Sequence, residues 1–160
     1  VSALRSVIHE FELIAAKHQV QKIKTIGDAF MAAAGLLQPV PNPVASCAAC
    51  GLEMIEAARR LPPFWEIRVG INIGSVVAGL VGKKRYVFDL YGDTVNFASR
   101  LESGGIPGKI TLSTDAWHRV AAFAQGASLG PKEIKGKGAC EVFRLDGMNG
   151  ANGTVCGPRP

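Results

Sequence analysis

The sequence predicts an α+β sandwich, a mostly antiparallel sheet with helices on its face. Three observations carry that prediction. Apolar residues recur at helical spacing in two long segments, Val1–Gln19 and Val44–Leu61. Trp65, Ile67, Val69, Ile71 and Ile73 alternate with polar residues or glycine, the mark of a half-buried strand. Short segments joined across Gly27 and across Lys135-Gly136-Lys137-Gly138 read as hairpins, which need no crossover helix. A chain of 160 residues suits one domain, and 48% hydrophobic with 19% charged residues describes a globular chain.

In order, the first helix carries Leu4, Ile8, Phe11 and Ala15 as its apolar stripe, with Ser2 as a possible cap. Val20–Lys24 and Ala29–Ala34 form a hairpin with Asp28 at its tip, and the proline-rich loop Leu36–Pro43 follows. The second helix has Val44, Cys47, Leu52, Ile55 and Ala58 as its expected inner face, and Pro62-Pro63 stops it. The strand Trp65–Ile73 leads into the glycine-punctuated stretch Gly74–Gly82, a polar loop and a strand over Val87–Tyr91. Gly92 then permits a turn, Asp93 is a good N-cap, and a helix runs to Ser103-Gly104-Gly105. A short strand over Lys109–Leu112, a helix over Ser113–Ala122 capped by Ser113, and a hairpin of Ala127–Lys135 with Cys140–Leu145 complete the pattern. The domain is thereby expected over residues 1–146, with 147–160 a flexible tail of glycine, asparagine and proline.

The formal charge of +5, with one basic run at Lys83-Lys84-Arg85, lacks the dense stripe of a nucleic-acid binder, so no nucleic-acid partner is expected. A polyphosphate substrate accounts for a mild basic bias. Glycine and prolines interrupt the charge-free stretch Ala29–Leu52, so it is no transmembrane helix, and no membrane contact is expected of this domain. Cys47 and Cys50 form a C-x-x-C, but no second pair or nearby histidine completes a zinc set. Packing is their expected role, in a reducing, cytoplasmic setting.

Asp89–Glu102, D-L-Y-G-D-T-V-N-F-A-S-R-L-E, carries the chemistry. Val95, Ala98 and Leu101 make one helix face apolar; Asn96 and Arg100, four apart, share another. Alone, such a pair marks a solvated face; together, an amide and a guanidinium also suit sugar and phosphate oxygens. Upstream stand K-I-K-T-I-G-D-A-F-M at Lys22–Met31 and R-V-G-I-N-I-G-S-V-V-A-G-L-V-G at Arg68–Gly82; downstream is I-K-G-K-G at Ile134–Gly138. These four blocks, in this order, resemble the class III nucleotidyl cyclase catalytic domain of adenylyl and guanylyl cyclases, from about Val1 to about Leu145.

The resemblance implies a ferredoxin-like sandwich and an adenylyl-type enzyme in signal transduction, converting ATP to cyclic AMP and pyrophosphate. Guanylyl cyclase and an inactive nucleotide-sensing domain are the alternatives. It implies roles residue by residue. Lys24 would donate to a ring nitrogen of adenine, and Asp89 accept from its exocyclic amine. Asn96 would orient the ribose, Arg100 stabilise the transition state, and Lys135, with Lys137 a close second, meet the terminal phosphates. Asp28 would be one of two carboxylates binding Mg2+ or Mn2+ in a two-metal site. No residue here matches the other carboxylate, which implies an N-terminally incomplete domain that folds poorly or is inactive by itself. The family's site forms between two domains, so a head-to-tail homodimer is the expected partner arrangement.

Overall fold

In the computed structural model, residues 2–85 and 87–149 are described. Helix α1 is Ser2–Lys17, followed by β1 (Gln21–Ile26), β2 (Ala29–Ala33) and α2 (Pro43–Arg60). Then come β3 (Val69–Ile71), β4 (Val77–Val81), β5 (Val87–Tyr91) and α3 (Asp93–Ser103). Last are β6 (Ile110–Ser113), α4 (Thr114–His118), β7 (Ala124–Ile134) and β8 (Gly138–Met148). The sheet order is β3-β6-β8-β7, with separate antiparallel ribbons β1-β2 and β4-β5. Among the described residues only β3 and β6 run parallel, so the mostly antiparallel α+β architecture is as predicted.

Helix α2 lies at the centre. One side packs Val44, Ala48 and Ile55 against Ile71, Ile110, Leu112 and Leu145 of the four-stranded sheet. The other packs Cys50, Met54, Ala57 and Ala58 against Val7, Phe11 and Ile14 of α1. Its alanines allow this two-sided burial, and a Cβ on Gly51 would stand 3.0 Å from Ile110 Cδ1. The single inner face expected for α2 is therefore corrected, and Cys47 and Leu52 are only partly buried. Burial pushes the Cys47 thiol up to about 11 and the Cys50 thiol to about 12, so both sulfurs stay protonated and inert at neutral pH. On α1 the buried stripe is Val7, Phe11, Ile14 and Ala15, which leaves Leu4 and Ile8 at its margin.

Several boundaries move for identifiable reasons. The alternation over Trp65–Ile73 yields a ladder only at Val69–Ile71, because its partner β6 begins at Ile110 after the chain turns at Gly108, φ 78°. The glycine-punctuated stretch contains β4, which pairs from Val77↔Tyr91 to Val81↔Val87 with β5. Asp93 is not the cap of α3: Gly92 occupies that place at φ 121° and Asp93 opens the first turn. Ser113 caps α4 as expected, accepting from Ala116 N at 3.2 Å, but α4 ends at His118. Gly147 and Met148, expected in the tail, continue β8 opposite Gln125 and Ala124. Residues 150–160 lie outside the described residues.

Candidate active site

Lys24 on β1 and Asp89 on β5, 65 residues apart in sequence, meet directly: Lys24 Nζ donates to Asp89 Oδ2 at 2.7 Å. Asp89 Oδ1 accepts from Leu90 N at 2.7 Å. Asp89 is only 9% exposed. The Lys24 hydrogen bond holds its carboxyl below the usual carboxylate range against the opposing effect of burial. The pair is thus a buried carboxylate beside an ammonium, one acceptor adjacent to one donor.

Strand β5 passes through Gly92 straight into α3. Asn96 and Arg100 are both exposed on this helix, while Leu101 is buried and Val95 and Ala98 half-buried, as the apolar face predicts. Of the two lysines offered for the terminal phosphates, only Lys137 is brought to α3. Its Nζ lies 2.5 Å from Asp93 Oδ2 and 5.1 Å from the centroid of the Phe97 ring. Asp93, Asn96, Phe97 and Arg100 fall on one face at helical spacing. Lys135 is exposed and makes no ion pair among the described residues. Phe97 was not singled out from sequence, and its spacing relative to Asn96 and Arg100 is the signal that places it on this face.

Asp28 stands exposed at the tip of the β1–β2 hairpin, after Gly27 at φ 61°. A hard oxygen donor on a tight turn fits Mg2+ or Mn2+, which take one or two carboxylates and complete their shell with water and phosphate oxygens. Among the described residues no three acidic, histidine or cysteine side chains converge into a cluster that could hold a metal ion.

Residues 1–147 match the adenylate and guanylate cyclase catalytic domain. The chain belongs to this family. The cyclase domain is 39% identical to guanylate cyclase soluble subunit beta-2 of Rattus norvegicus, over 98% of this chain and 24% of that protein. It is 40% identical to receptor-type guanylate cyclase gcy-7 of Caenorhabditis elegans, over 99% of this chain and 15% of that protein. The chain therefore spans a quarter or less of these curated relatives. Among solved structures it is similar to the guanylate cyclase domain of RhGC from Catenaria anguillulae in complex with GTP, at 30% identity and TM-score 0.86, covering 92% of this chain and 83% of that one. It is also similar to the catalytic core of a rhodopsin-guanylyl cyclase with converted specificity in complex with ATPalphaS, at 32% identity and TM-score 0.84, covering 91% and 82%. No helix of the cyclase domain, among the described residues, is long and apolar enough to cross a membrane.

Proposed function

We propose that this cyclase domain is an adenylyl cyclase. The ribose 3′-oxygen of ATP bonds to the α-phosphorus, the bond from that phosphorus to the bridging β-phosphate oxygen breaks, and pyrophosphate leaves as the 3′-proton is released. The observation that carries this reading is the Lys24–Asp89 pair, donor beside acceptor at 2.7 Å. Adenine offers an acceptor at ring N1 next to a donor at its exocyclic amine; guanine offers a donor at N1 next to a carbonyl acceptor. With Lys24 facing the ring nitrogen and Asp89 the exocyclic group, adenine satisfies both side chains. Guanine in the same orientation sets N–H against ammonium and carbonyl against carboxylate.

The remaining roles are those that the family resemblance implies. Asn96 orients the ribose, Arg100 offsets charge growing on the α-phosphate and pyrophosphate, and Lys137 meets the terminal phosphates. Asp28 would hold Mg2+ or Mn2+, which lowers the pKa of the 3′-hydroxyl and screens the phosphates when bound. The complementary surface comes from a second copy in head-to-tail arrangement. In support, one face of the β4–β5 ribbon exposes Val77 at 66%, with Val81, Val87 and Tyr91 also open, an apolar patch suited to burial against protein. We place the activity on the cytoplasmic side, in signal transduction.

GTP is the second reading, favoured by the guanylate cyclases among the relatives. Against it, a rhodopsin-guanylyl cyclase core of converted specificity holds ATPalphaS, so likeness to guanylyl cyclases accommodates an adenine nucleotide in that protein. The test is cyclic AMP and cyclic GMP formation with Mg2+ and Mn2+, on this chain alone and in any longer protein that carries it. ATP is expected to have the higher kcat/KM, and Lys24→Glu with Asp89→Cys to shift the preference towards GTP. A higher kcat/KM for GTP in the unaltered domain overturns the adenylyl reading.

A further inference from the structure

Residues 68, 70, 72 and 74 share one side of the extended segment through β3, and every one of them meets α3. Arg68 Nη1 donates to Ser103 O at 3.3 Å, and its Nη2 lies 3.3 Å from Glu102 Oε1. A Cβ on Gly70 would stand 2.4 Å from Glu102 N and 2.5 Å from Ala98 O. Asn72 Nδ2 donates to Thr94 O at 3.1 Å. A Cβ on Gly74 would stand 2.5 Å from Thr94 Oγ1. Period two on the strand thus meets Thr94, Ala98 and Glu102, period four on the helix. Asn96 and Arg100 lie two residues from that stripe, roughly 200° round the helix. Strand β3 grips the back of α3, and the nucleotide face is its front.

Within this contact the glycines supply closeness without direction, since they hold α3 near but do not choose where along the strand it sits. Arg68 acts from an exposed position at the helix C-terminus. Asn72 alone gives a directional bond near the helix start, and that bond is backed. Ser113 Oγ, on a residue 3% exposed, donates to Asn72 Oδ1 at 2.7 Å. Ser113 Oγ in turn accepts from Ala116 N at 3.2 Å. A hydroxyl has one proton to give, so the relay runs one way: Ala116 to Ser113, Ser113 to Asn72, Asn72 to the Thr94 carbonyl.

We infer that Asn72 is a positioning residue: anchored by Ser113, it sets the height and rotation of α3 and so the places of Asn96 and Arg100. This inference rests on the proposed roles of those two residues. It is tested on the full chain with Asn72→Ala; Asn72→Asp, which keeps shape and acceptor but loses the donor; and Asn72→His, whose neutral ring keeps one of each. Asn72→Ala and Asn72→Asp are expected to speed amide hydrogen exchange at Ala98–Arg100 by about tenfold or more beyond any change at Val142–Leu145. They are expected to lower kcat by about 10–100-fold with KM little changed, as a small misplacement of reacting groups does. Asn72→His is expected to recover most of both. On an Arg100→Ala background, Asn72→Ala is expected to cost less than about threefold more, because both act through one group. Unchanged exchange in α3, exchange raised equally in β8, or fully multiplying kinetic losses overturns the inference. If one variant fails to fold, the isosteric Asn72→Asp decides the question. If the unaltered domain turns over neither ATP nor GTP, the proposed function fails, and the exchange measurement alone decides this one.

Discussion

Replacing Gly70 with alanine perturbs α3 from its back, without touching any group that meets nucleotide. The added Cβ would lie 2.4 Å from Glu102 N and 2.5 Å from Ala98 O, where ordinary contact begins at 3.4 Å. Both neighbours are helix backbone, so no side chain can swing aside, and α3 or β3 must retreat by about 1 Å. Overpacking of this kind costs typically about 1–3 kcal/mol. For a domain of this size that lowers Tm by roughly 2–12 °C, at about 2–4 °C per kcal/mol. Asn96 and Arg100 travel with the helix, and a displacement near 1 Å at reacting groups lowers turnover by about 10²-fold. Thermal unfolding followed by circular dichroism reads the first effect, and initial-rate kinetics at a temperature where the variant is folded reads the second. A Gly70→Ala protein with unchanged Tm and unchanged kcat would refute both the steric reasoning and the claim that the position of α3 governs turnover.

Arg100→Ala is expected to lower kcat by about 10²–10³-fold with KM little changed, the loss of one preorganised electrostatic donor. Mixing inactive Arg100→Ala with inactive Asp28→Ala subunits should restore activity towards about half of wild type per mixed dimer, because one of its two sites then carries neither lesion; a mixture that stays dead although subunits exchange rules out the head-to-tail site. Lys137→Ala should raise KM for ATP more than Lys135→Ala does, measured side by side, since only Lys137 is held on the α3 face. The Asp89 carboxyl is held below its ordinary range by Lys24, so its contribution to stability is fully present above that range and is lost as pH falls through the lowered value. Asp89's contribution to stability should therefore hold on acidification from neutrality until pH drops below the ordinary carboxylate range near about 4, and Asp89→Asn should remove that part of the dependence, read by thermal unfolding across pH.

What the sequence determined by itself was whatever depends on neighbours a few residues away. The α3 periodicity, the hairpin turn at Gly27, the cap at Ser113 and the helix stop at Gly104 are local chemistry, and each stands where it was read. Lys24, Asp28, Asp89, Asn96 and Arg100 were named as candidates because they stand in short blocks that resemble the family's motifs. The tertiary structure decided what depends on which distant segment arrives alongside. Strand β4 exists because β5 pairs with it, β3 is short because β6 begins late, and β8 continues to Met148 because Ala124 and Gln125 lie opposite its end. Helix α2 is buried on both sides because α1 and the sheet converge on it, which no single-face periodicity can express. Lys137 rather than Lys135 reaches α3 because the β7–β8 turn at Gly136 and Gly138 aims one side chain of the pair at Asp93 and Phe97. The Lys24–Asp89 pair spans 65 residues, and its donor and acceptor stand side by side only when β1 and β5 are brought together by folding.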